Sequence, residues 1–564
     1  MTISDLMFPP AFIMILGAML IPVVRPSFRP VLLILVPLLT LLMIWNLDDG
    51  VLLTARFLGY EVELVEASNV RRLFATIFAL MAMIGGFFAF QHARVVEMSA
   101  SMAYAAGAVG VSFAGDLITL FLFWEFMALF STVVVWCGGT EEARRAGIRY
   151  GIMHLIGGIV LKIGIEGVAI QTGSIEIQPL MLDSFATWMM LIGVLINAAA
   201  PPVSAWLSDA YPEASPTGSV ILSAFTTKTA VLALLLLFPG QQVLIWVGMY
   251  MIFYGIIYAL MENDMRRILA YSIVNQVGFM VVGVGIGTEL ALNGVAAHAF
   301  SHIIYKALLL MSAGAVIVQT GKRKCTDLGG LYRTMPVTAI CGTIGALAIS
   351  SFPYTSGFIS KSMISQSAAY GELAFVWYGL VAASAGVFLH AGIKFPWFVF
   401  FQKDSGLRPK DPSWNMQAAM IIFAVACVLL GVFPSLLYRF LPYEVSYVPY
   451  TADHLVTQLQ LLLFAGLAFF VTLPLMKRTL TISLDTDFFY RRVGPAIWRG
   501  FVHVLVVLNG LFQSLVVEQG KRLPQFWVRY HGPDGPLART WPTGSMLLWV
   551  AVMLVVILIG ARLL

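Results

Sequence analysis

The sequence predicts an all-α integral membrane protein. Of its 564 residues, 59% are hydrophobic and only 11% are charged, and the mean hydropathy is +0.87. Soluble domains carry about 25% charged residues. The apolar residues also fall into repeated runs of about 20, the length that a helix needs to cross the ~30 Å hydrocarbon core of a bilayer. Together these observations predict roughly 14–16 transmembrane helices.

The spans follow one another along almost the whole chain. We place them at 8–24, 30–46, 72–91, 98–115, 117–138, 150–170, 186–203, 218–238, 243–261, 268–286, 293–318, 337–366 (with a break), 375–401, 415–438, 457–476 and 545–563. They define four parts: N-terminal helices in 1–96, a core in 97–410, C-terminal helices in 411–480, and a more polar segment with a final anchor helix in 481–564.

Loop charges predict the direction in which the helices run. The basic residues occupy alternate loops: Arg25/Arg29, Arg94, Arg144/Arg145/Arg149, Arg266/Arg267, Lys322/Arg323/Lys324, Lys403/Arg408/Lys410 and Lys477/Arg478. The loops between them carry Asp48, Asp49, Glu61, Glu63, Glu176 and Asp183. By the positive-inside rule the basic loops are cytoplasmic and the N-terminus lies outside. Arg56, Arg71 and Arg72 are the exceptions.

Charged and titratable residues also stand inside the predicted spans. These are Glu125, Lys228, His298, His302, Lys306 and Lys361. A charge at bilayer depth costs about 2.5–3.5 kcal/mol on insertion scales, so such residues normally face the protein interior and mark an ion or proton path. The three on span 293–318 recur every four residues and share one helix face, ~6 Å apart per step. Gaps of that size need bridging waters.

A six-residue pattern that occurs twice in the sequence predicts two inverted repeats. Ser204-Ala-Trp206-Leu-Ser208-Asp209 recurs as Ser356-Gly-Phe358-Ile-Ser360-Lys361. Each copy follows prolines (Pro201 and Pro202, or Pro353) that interrupt an apolar segment, and proline breaks a helix by removing a donor and clashing with the preceding turn. The two segments cross the membrane in opposite directions. Paired broken helices of this kind indicate an inverted-repeat transporter.

Several other kinds of chemistry are not supported. Cys137, Cys325, Cys341 and Cys427 are scattered without a CxxC pair, so we interpret them as small buried hydrophobes rather than metal ligands or disulfide partners. The sequence has neither a Walker A loop nor a GxGxxG turn. It therefore predicts no nucleotide, flavin or metal cofactor on this chain, and nothing in it points to nucleic acid.

Six motifs occur in a fixed order along the core. They are Trp124-Glu125-Phe126-Met127, Trp206-Leu-Ser-Asp209-Ala-Tyr-Pro-Glu213-Ala, Thr227-Lys228-Thr229, Arg267-Ile-Leu-Ala-Tyr271-Ser, His298-x3-His302-x3-Lys306 and Gly357-Phe-Ile-Ser-Lys361. Together they resemble the antiporter-like membrane subunits of Mrp-type cation/proton antiporters and of respiratory complex I. The resemblance covers residues 70–400, and Asp485-Thr-Asp487-Phe-Phe-Tyr490 favours the Mrp subunits of the D or A type.

This resemblance implies a row of buried protonatable groups. The family positions fall, in order, on Glu125 in the fifth helix, Lys228 in the eighth, His298, His302 and Lys306 in the central relay, and Lys361 in the twelfth. A buried lysine holds its proton while a carboxylate is near and releases it when that carboxylate moves away. Histidine titrates near neutral pH, which suits the middle of a proton path.

One position departs from the family pattern. Asn197 stands where the family usually has a lysine, and Lys162 stands in the sixth helix where an apolar residue is usual. We hypothesise that Lys162 replaces the missing lysine as the partner of Glu125. One face of that helix carries, every four residues, His154, Gly158, Lys162 and Glu166. In the alternatives, Lys162 pairs with Glu166 at i,i+4, or the first switch is absent.

Four further residues are candidates for a secondary or channel role, beside His154 and Asn197. Asp209 and Glu213 follow the first helix break and either line a half-channel or cap the next helix. His390 and Lys394 lie one turn apart near a cytoplasmic helix end, where a lysine can also extend its amine to the interface.

The C-terminal segment differs from the core. Residues 496–517 are apolar enough to span, yet Arg499, His503, Asn509 and Gln513 recur at near-helical spacing. A spanning helix would also place Lys521, Arg522 and Arg529 outside. We therefore favour a lateral, in-plane helix over 496–531, as the resemblance to the most distal complex I subunit suggests.

The sequence thus predicts a proton-translocating subunit rather than a catalytic enzyme, most like the D-type subunit of a Na+/H+ antiporter, in a bacterial inner membrane. Expected partners are other membrane subunits, H+ with Na+ or K+, and lipids. One alternative is a proton-pumping subunit of a complex I- or hydrogenase-like oxidoreductase. Another is the membrane subunit of an inorganic-carbon uptake complex, and a third is a degenerate subunit that only anchors partners.

Overall fold

The protein is built almost entirely from helices, as predicted. The computed structural model describes residues 8–57, 59–474, 485–537 and 543–563. Within them, fourteen helical stretches are long and apolar enough to cross a membrane. Thirteen coincide with predicted spans, and the other three predicted spans are shorter apolar helices. Lys477 and Arg478, assigned to a cytoplasmic loop, lie outside the described residues.

The chain forms two compact units, Met1–Asp487 and Phe488–Leu564. The first begins with α1 (Pro10–Leu20), α2 (Arg29–Ile44), β1 (Gly50–Phe57), β2 (Tyr60–Ala67) and α3 (Asn69–Ala89). The antiparallel β1–β2 hairpin was not predicted. Its second strand alternates acidic and apolar residues and buries Val62 and Val65, a period-two pattern that a search for long apolar runs passes over.

The hairpin and the residues just before it supply partners for two of the three arginines that are exceptions to the loop-charge pattern. Arg71 and Arg72 in the first turn of α3 are 2% and 7% exposed. Arg71 pairs with Glu66, and Arg72 pairs with Asp49. Arg72 also donates to the carbonyl oxygen of Leu47 at 2.6 Å. Because a carboxylate neutralises each guanidinium, these arginines do not act as free positive charges.

The core contains two successive sets of helices. The first set is α4 (Val95–Phe113), α5 (Leu117–Trp136), α6 (Glu141–Thr172), α7 (Phe185–Asn197), α8 (Ala205–Ala210), α9 (Pro216–Leu222) and α10 (Thr226–Leu237). The second set is α11 (Val243–Met261), α12 (Met265–Ile286), α13 (Glu289–Thr320), α14 (Pro336–Ile349), α15 (Ser356–Tyr370) and α16 (Ala374–Val387), which continues as π-helical turns over Phe388–Lys394 and Trp397–Phe401.

Both predicted helix breaks are present. The first separates α7 from α8 and contains Ala199 with φ 61°. The second separates α14 from α15 and contains Ser351 and Tyr354 with φ 57° and 63°. A third break, between α9 and α10 at residues 223–225, was not predicted, since no proline or glycine marks it.

The loops predicted to be cytoplasmic meet at one end of the bundle, which we call the basic end. Arg323 pairs there with Glu213 at 3.0 Å and with Asp264. Arg149 on α6 donates two hydrogen bonds to Asp209 on α8, at 2.7 and 2.8 Å. These ion pairs join segments that are distant in sequence.

The hairpin lies at the opposite end, which we call the acidic end. Asp116 accepts from the main-chain N–H of Glu63 at 2.8 Å and from the first N–H groups of α5. The N–H of Leu117 bonds to the carbonyl of Ile175 at 2.8 Å. The hairpin is therefore anchored to the start of α5, which is itself bonded to the loop after α6.

Three more helices complete the first unit: α17 (Trp414–Val432), α18 (Ser435–Tyr438) and α19 (Ala452–Thr472). The second unit contains α20 (Gly494–Phe512), α21 (Glu518–His531) and α22 (Thr543–Leu563). With π-helical turns, residues 489–531 form one stretch of 43 helical residues. The lateral helix over 496–531 stays a prediction, and α22 coincides with the predicted anchor.

Replacing Arg149 by alanine is expected to destabilise the first unit. Asp209 is 2% exposed as a side chain and would lose the guanidinium that neutralises it in this buried position. Breaking a buried pair in this way costs about 3 kcal/mol or more, which thermal unfolding of the detergent-solubilised protein can measure. Arg144→Ala is the matched control, since its pair with Glu141 is exposed, and it should leave the melting temperature unchanged. Equal shifts for both variants would contradict the prediction.

The pair between Glu213 and Arg323 predicts sensitivity to acid. Burial raises the pKa of the Glu213 carboxyl, but the hydrogen bonds and charge of Arg323 lower it, and the net pKa lies below the ordinary 4.5. A carboxyl with a lowered folded-state pKa stabilises above its unfolded pKa, and this stability disappears as the pH falls through the folded value.

Glu213→Gln should therefore reduce thermal stability at neutral pH and lose that effect in acid. Unfolding curves recorded down to about pH 3 test this, with the exposed Asp183→Asn as control. If the loss of thermal stability in Glu213→Gln is the same at every pH, the stabilising pair between Glu213 and Arg323 is refuted.

Candidate functional site

Glu125 lies in the interface between α5 and α6. Its side chain is half-buried, and its Oε1 atom is buried without a hydrogen-bond partner among the described residues. The carboxylate rests directly on Gly158 of α6, where a Cβ atom would overlap Oε1. The glycine therefore creates the space that the carboxylate occupies.

Lys162 pairs with Glu166, not with Glu125. Both side chains of this pair are exposed, Lys162 over 40% and Glu166 over 62% of its surface. Lys162 Nζ lies 6.0 Å from the ring centre of Phe121. No ion pair joins Glu125 to a cation within the part of the chain that the structure describes. The structure thus has the i,i+4 alternative, because Gly158 rather than Lys162 faces the carboxylate.

Two further buried groups border the Glu125 region. Asn197, the last residue of α7, is 1% exposed, and its Oδ1 atom lies 3.6 Å from the Cβ position of Gly157. His154 on α6 is also 1% exposed, and its Nδ1 atom bonds to the carbonyl of Tyr150 at 2.9 Å. Asn197 Oδ1 and His154 Nε2 have no partner among the described residues.

Lys228 and Lys361 are held by carbonyl oxygens at helix breaks. Lys228 is fully buried and donates to the carbonyl of Ser223, just after α9, at 2.6 Å. Lys361 is 3% exposed and donates to the carbonyl of Ile349, the last residue of α14, at 2.5 Å. Carbonyls at a helix C-terminus lack helical donors and carry partial negative charge. Each break therefore supplies an acceptor for a buried ammonium group.

Lys394 is held in the same way at the end of α11. It is 6% exposed and donates to the carbonyls of Leu260 and Glu262, both at 2.6 Å. Its amine is inside the protein, so the alternative in which it extends to the interface is wrong. His390 is buried in the same π-helical turn and bonds through Nδ1 to the carbonyl of Gly386 at 2.8 Å.

The central relay lies on α13, as the spacing predicts. The rings of His298 and His302 are 6.1 Å apart between centres. His298 Nδ1 bonds to Ser360 Oγ at 3.0 Å, and Lys306 donates to Ser272 Oγ at 2.6 Å. All three relay residues are fully buried. Both ring nitrogens of His302 are without a partner among the described residues.

The polar residues that complete this relay were not predicted from the sequence. The hydroxyl of Tyr305 donates to Gln276 Oε1 at 3.0 Å and lies 3.4 Å from Nε2 of His298. Its ring centre is 5.3 Å from that of His302. Tyr305 is seven residues after His298 and shares its helix face, which is the signal that could have identified it. Gln276 on α12 gave no such signal.

Asp209 and Glu213, the remaining candidates, belong to the ion pairs of the basic end. Neither forms part of the relay on α13. Within the described residues, no group of three or more His, Cys, Asp or Glu side chains is placed to hold a metal ion.

Comparison with known proteins identifies this arrangement. Residues 114–388 match the family described as "NADH:quinone oxidoreductase/Mrp antiporter, TM". Over these residues the chain is similar to the antiporter-like membrane subunits of that family. It is a multi-pass membrane protein, and the expectation drawn from the six motifs is confirmed.

Individual relatives show how far the likeness extends. The D subunit of the Na(+)/H(+) antiporter of Alkalihalophilus pseudofirmus is 30% identical over 52% of this chain and 65% of its own length. A chain of the Mrp complex from Dietzia has the same fold, with a TM-score of 0.71, 22% identity, and coverage of 78% of this chain and 96% of that one. A chain of the archaeal membrane-bound sulfane sulfur reductase gives a TM-score of 0.70 at 21% identity, with coverage of 98% of this chain and 99% of that one.

A methyl group at Gly158 should stabilise the protein less than one at Gly151. Gly158→Ala places a Cβ on the Glu125 carboxylate, so this flexible side chain must leave the space that it occupies. Gly151→Ala, two turns earlier on α6, meets only Thr132 at 3.4 Å and gains up to about 1 kcal/mol of helix propensity. In thermal unfolding in detergent, Gly151→Ala should melt at a higher temperature than Gly158→Ala, and equal melting temperatures would contradict the packing described for Glu125.

Proposed function

We propose that this chain is a proton-translocating subunit of a multisubunit membrane complex, most like the D-type subunit of a monovalent cation/proton antiporter. The observation that carries the proposal is a buried row of five bases, Lys228, His298, His302, Lys306 and Lys361. Among the described residues, none of the five forms an ion pair with a carboxylate.

The absence of counter-charges limits how many protons the row can hold. Lys228, Lys306, Lys361 and His298 are all near enough to His302 to interact with it electrostatically. Positive charges repel each other strongly where the effective dielectric constant is low. Several of these groups therefore cannot be charged together at little cost, and a proton arriving at one favours release from its neighbour.

The distances fit transfer through water. Ring centres of His298 and His302 are 6.1 Å apart, too far for a direct hydrogen bond. A bridging water can span such a gap between polar groups. The hydroxyls of Ser272, Tyr305 and Ser360 provide donors and acceptors beside the same row. Changes in hydration would then open or close the path.

The remaining predicted features join this proposal. Protons reach the row through half-channels at the broken helices, and the basic end faces the cytoplasm, which leaves the N-terminus outside in a bacterial inner membrane.

Lys162 is one helical turn from the position of Glu125 and one turn from Glu166. We propose that it exchanges between these two carboxylates as a coupling switch. Partner subunits and Na+ or K+ belong to the same proposal.

A second candidate is a proton-pumping subunit of a redox-driven complex. A chain of the sulfane sulfur reductase, described as an archaeal respiratory membrane complex, shares the fold over 98% of this chain. In that case the relay would be the same, but electron transfer in a partner would supply the energy.

Cation-driven proton flux in everted vesicles that carry the intact complex tests the first proposal. Addition of Na+ or K+ should move protons in the wild type, and Lys228→Ala should slow this flux by about 100-fold, a typical effect of losing a proton-transfer group. Lys322→Ala, in an exposed loop, is the charge-matched control and should retain the wild-type rate. Wild-type complex that moves protons only upon electron donation would support the redox candidate, and an undiminished Lys228→Ala rate would remove Lys228 from the path.

A further inference from the structure

Helices α6 and α13 are equivalent elements of the two repeats. Each has 32 residues, begins after a threonine N-cap and ends before a left-handed glycine. Each also closes with Gln-Thr-Gly, at 171–173 and 319–321. They run in opposite directions, since α6 starts at the basic end and α13 finishes there. His154 and His302 are each the fourteenth residue of their helix, so His154 occupies in the first repeat the place of His302 in the second.

His154 has one nitrogen available for a proton. Its Nδ1 atom bonds to the carbonyl of Tyr150, and a carbonyl can only accept, so Nδ1 carries the hydrogen and Nε2 of the neutral ring is an acceptor. That Nε2 atom is buried without a partner among the described residues. The ring is fixed between Tyr150, at 4.0 Å between centres, and Trp206, at 4.7 Å.

The nearest turn of the same helix face holds the carboxylate of Glu125. Gly158, against which that carboxylate packs, is four residues after His154, or ~6 Å along the helix axis. Glu125 Oε1 is also buried and without a partner in the described chain. The two unsatisfied polar atoms therefore belong to neighbouring turns of one helix face, where bridging water molecules would connect them.

We propose that Glu125 and His154 are a proton-exchanging pair, the counterpart in the first repeat of the relay on α13. In the exchange, the O–H bond of protonated Glu125 breaks and an N–H bond forms at Nε2 through a bridging water, which gives up one proton and receives another. Glu125 is left as a carboxylate and His154 as an imidazolium that still donates to Tyr150. Asn197 Oδ1, beside Gly157, is an additional acceptor for that water. This proposal rests on the proposed function and makes it more specific.

Other titratable and charged groups surround the pair on each packed element. On α6 itself these are Tyr150 and the Lys162–Glu166 ion pair. From the α8 side come Asp209, already paired with Arg149, and Tyr211, whose ring centre is 6.4 Å from that of Tyr150. The α7 sequence, Phe185–Asn197, contains no titratable residue. Glu125 is the group that α5 contributes to this face of α6.

Infrared titration of the purified complex tests the pair without requiring transport. The carboxyl C=O band that disappears in Glu125→Gln is assigned to Glu125. The intensity of this band is then recorded against pH, which gives the midpoint of the Glu125 titration. His154→Asn keeps an N–H donor for Tyr150 but cannot take a proton. It should move the Glu125 midpoint by about one pH unit or more, as expected for coupled sites. His390→Asn is the matched control, because His390 makes the same Nδ1 bond one turn back, and it should leave the midpoint unchanged.

An unchanged Glu125 midpoint in His154→Asn would overturn the proposal, as would an equal shift in His390→Asn. Proton flux provides a second readout, in which His154→Asn should slow exchange by about tenfold or more. If wild-type complex shows no proton flux, the proposed function fails, while the infrared comparison still decides whether the two residues share a proton.

Discussion

Buried ammonium groups need acceptors, and in this protein the C-terminal ends of helices supply them. Lys228, Lys361 and Lys394 each donate to carbonyl oxygens where α9, α14 or α11 ends. A carbonyl stabilises the ammonium less than a carboxylate ion would, so the proton is retained without being trapped. The interruptions in the helices make these acceptors available, because a continuous helix would leave its carbonyls bonded within itself.

The two repeats place different side chains on the same scaffold. In the second, α13 carries two histidines and a lysine against hydroxyl-bearing neighbours. In the first, the equivalent helix has a glycine at Gly158, the position that corresponds to Lys306, and the carboxylate of Glu125 fills the space. The two equivalent helices therefore keep the same geometry but differ in chemistry. Where α13 carries the base Lys306, α6 has Gly158, and the neighbouring helix α5 contributes the acid Glu125. This difference in chemistry gives the two halves different affinities for a proton.

Much of this arrangement is readable in the sequence, and the failures have physical causes. Apolar runs and prolines predict the helices and the two marked breaks, because both depend on local composition. The break at residues 223–225 carries no strong local signal and depends on tertiary packing, whereas the period-two pattern of β2 is a local signal that a search for long apolar runs passes over. The partner of Lys162 could not be derived from spacing alone, since residues on facing helices are positioned by contacts such as that between Glu125 and Gly158. Tyr305 and Gln276 were missed because neutral polar residues in apolar helices are common and their role depends on what they face.

The ion pair between Lys162 and Glu166 has a consequence for biochemical work on the isolated chain. A large part of both side chains lies open on the outside of α6. Hydrocarbon solvates such charges poorly, whether it belongs to lipid tails or to detergent. Extraction into a detergent whose tails cover this patch leaves the two charges in unfavourable surroundings. The choice of solubilising agent will therefore decide whether purified protein keeps the conformation that it has within its assembly.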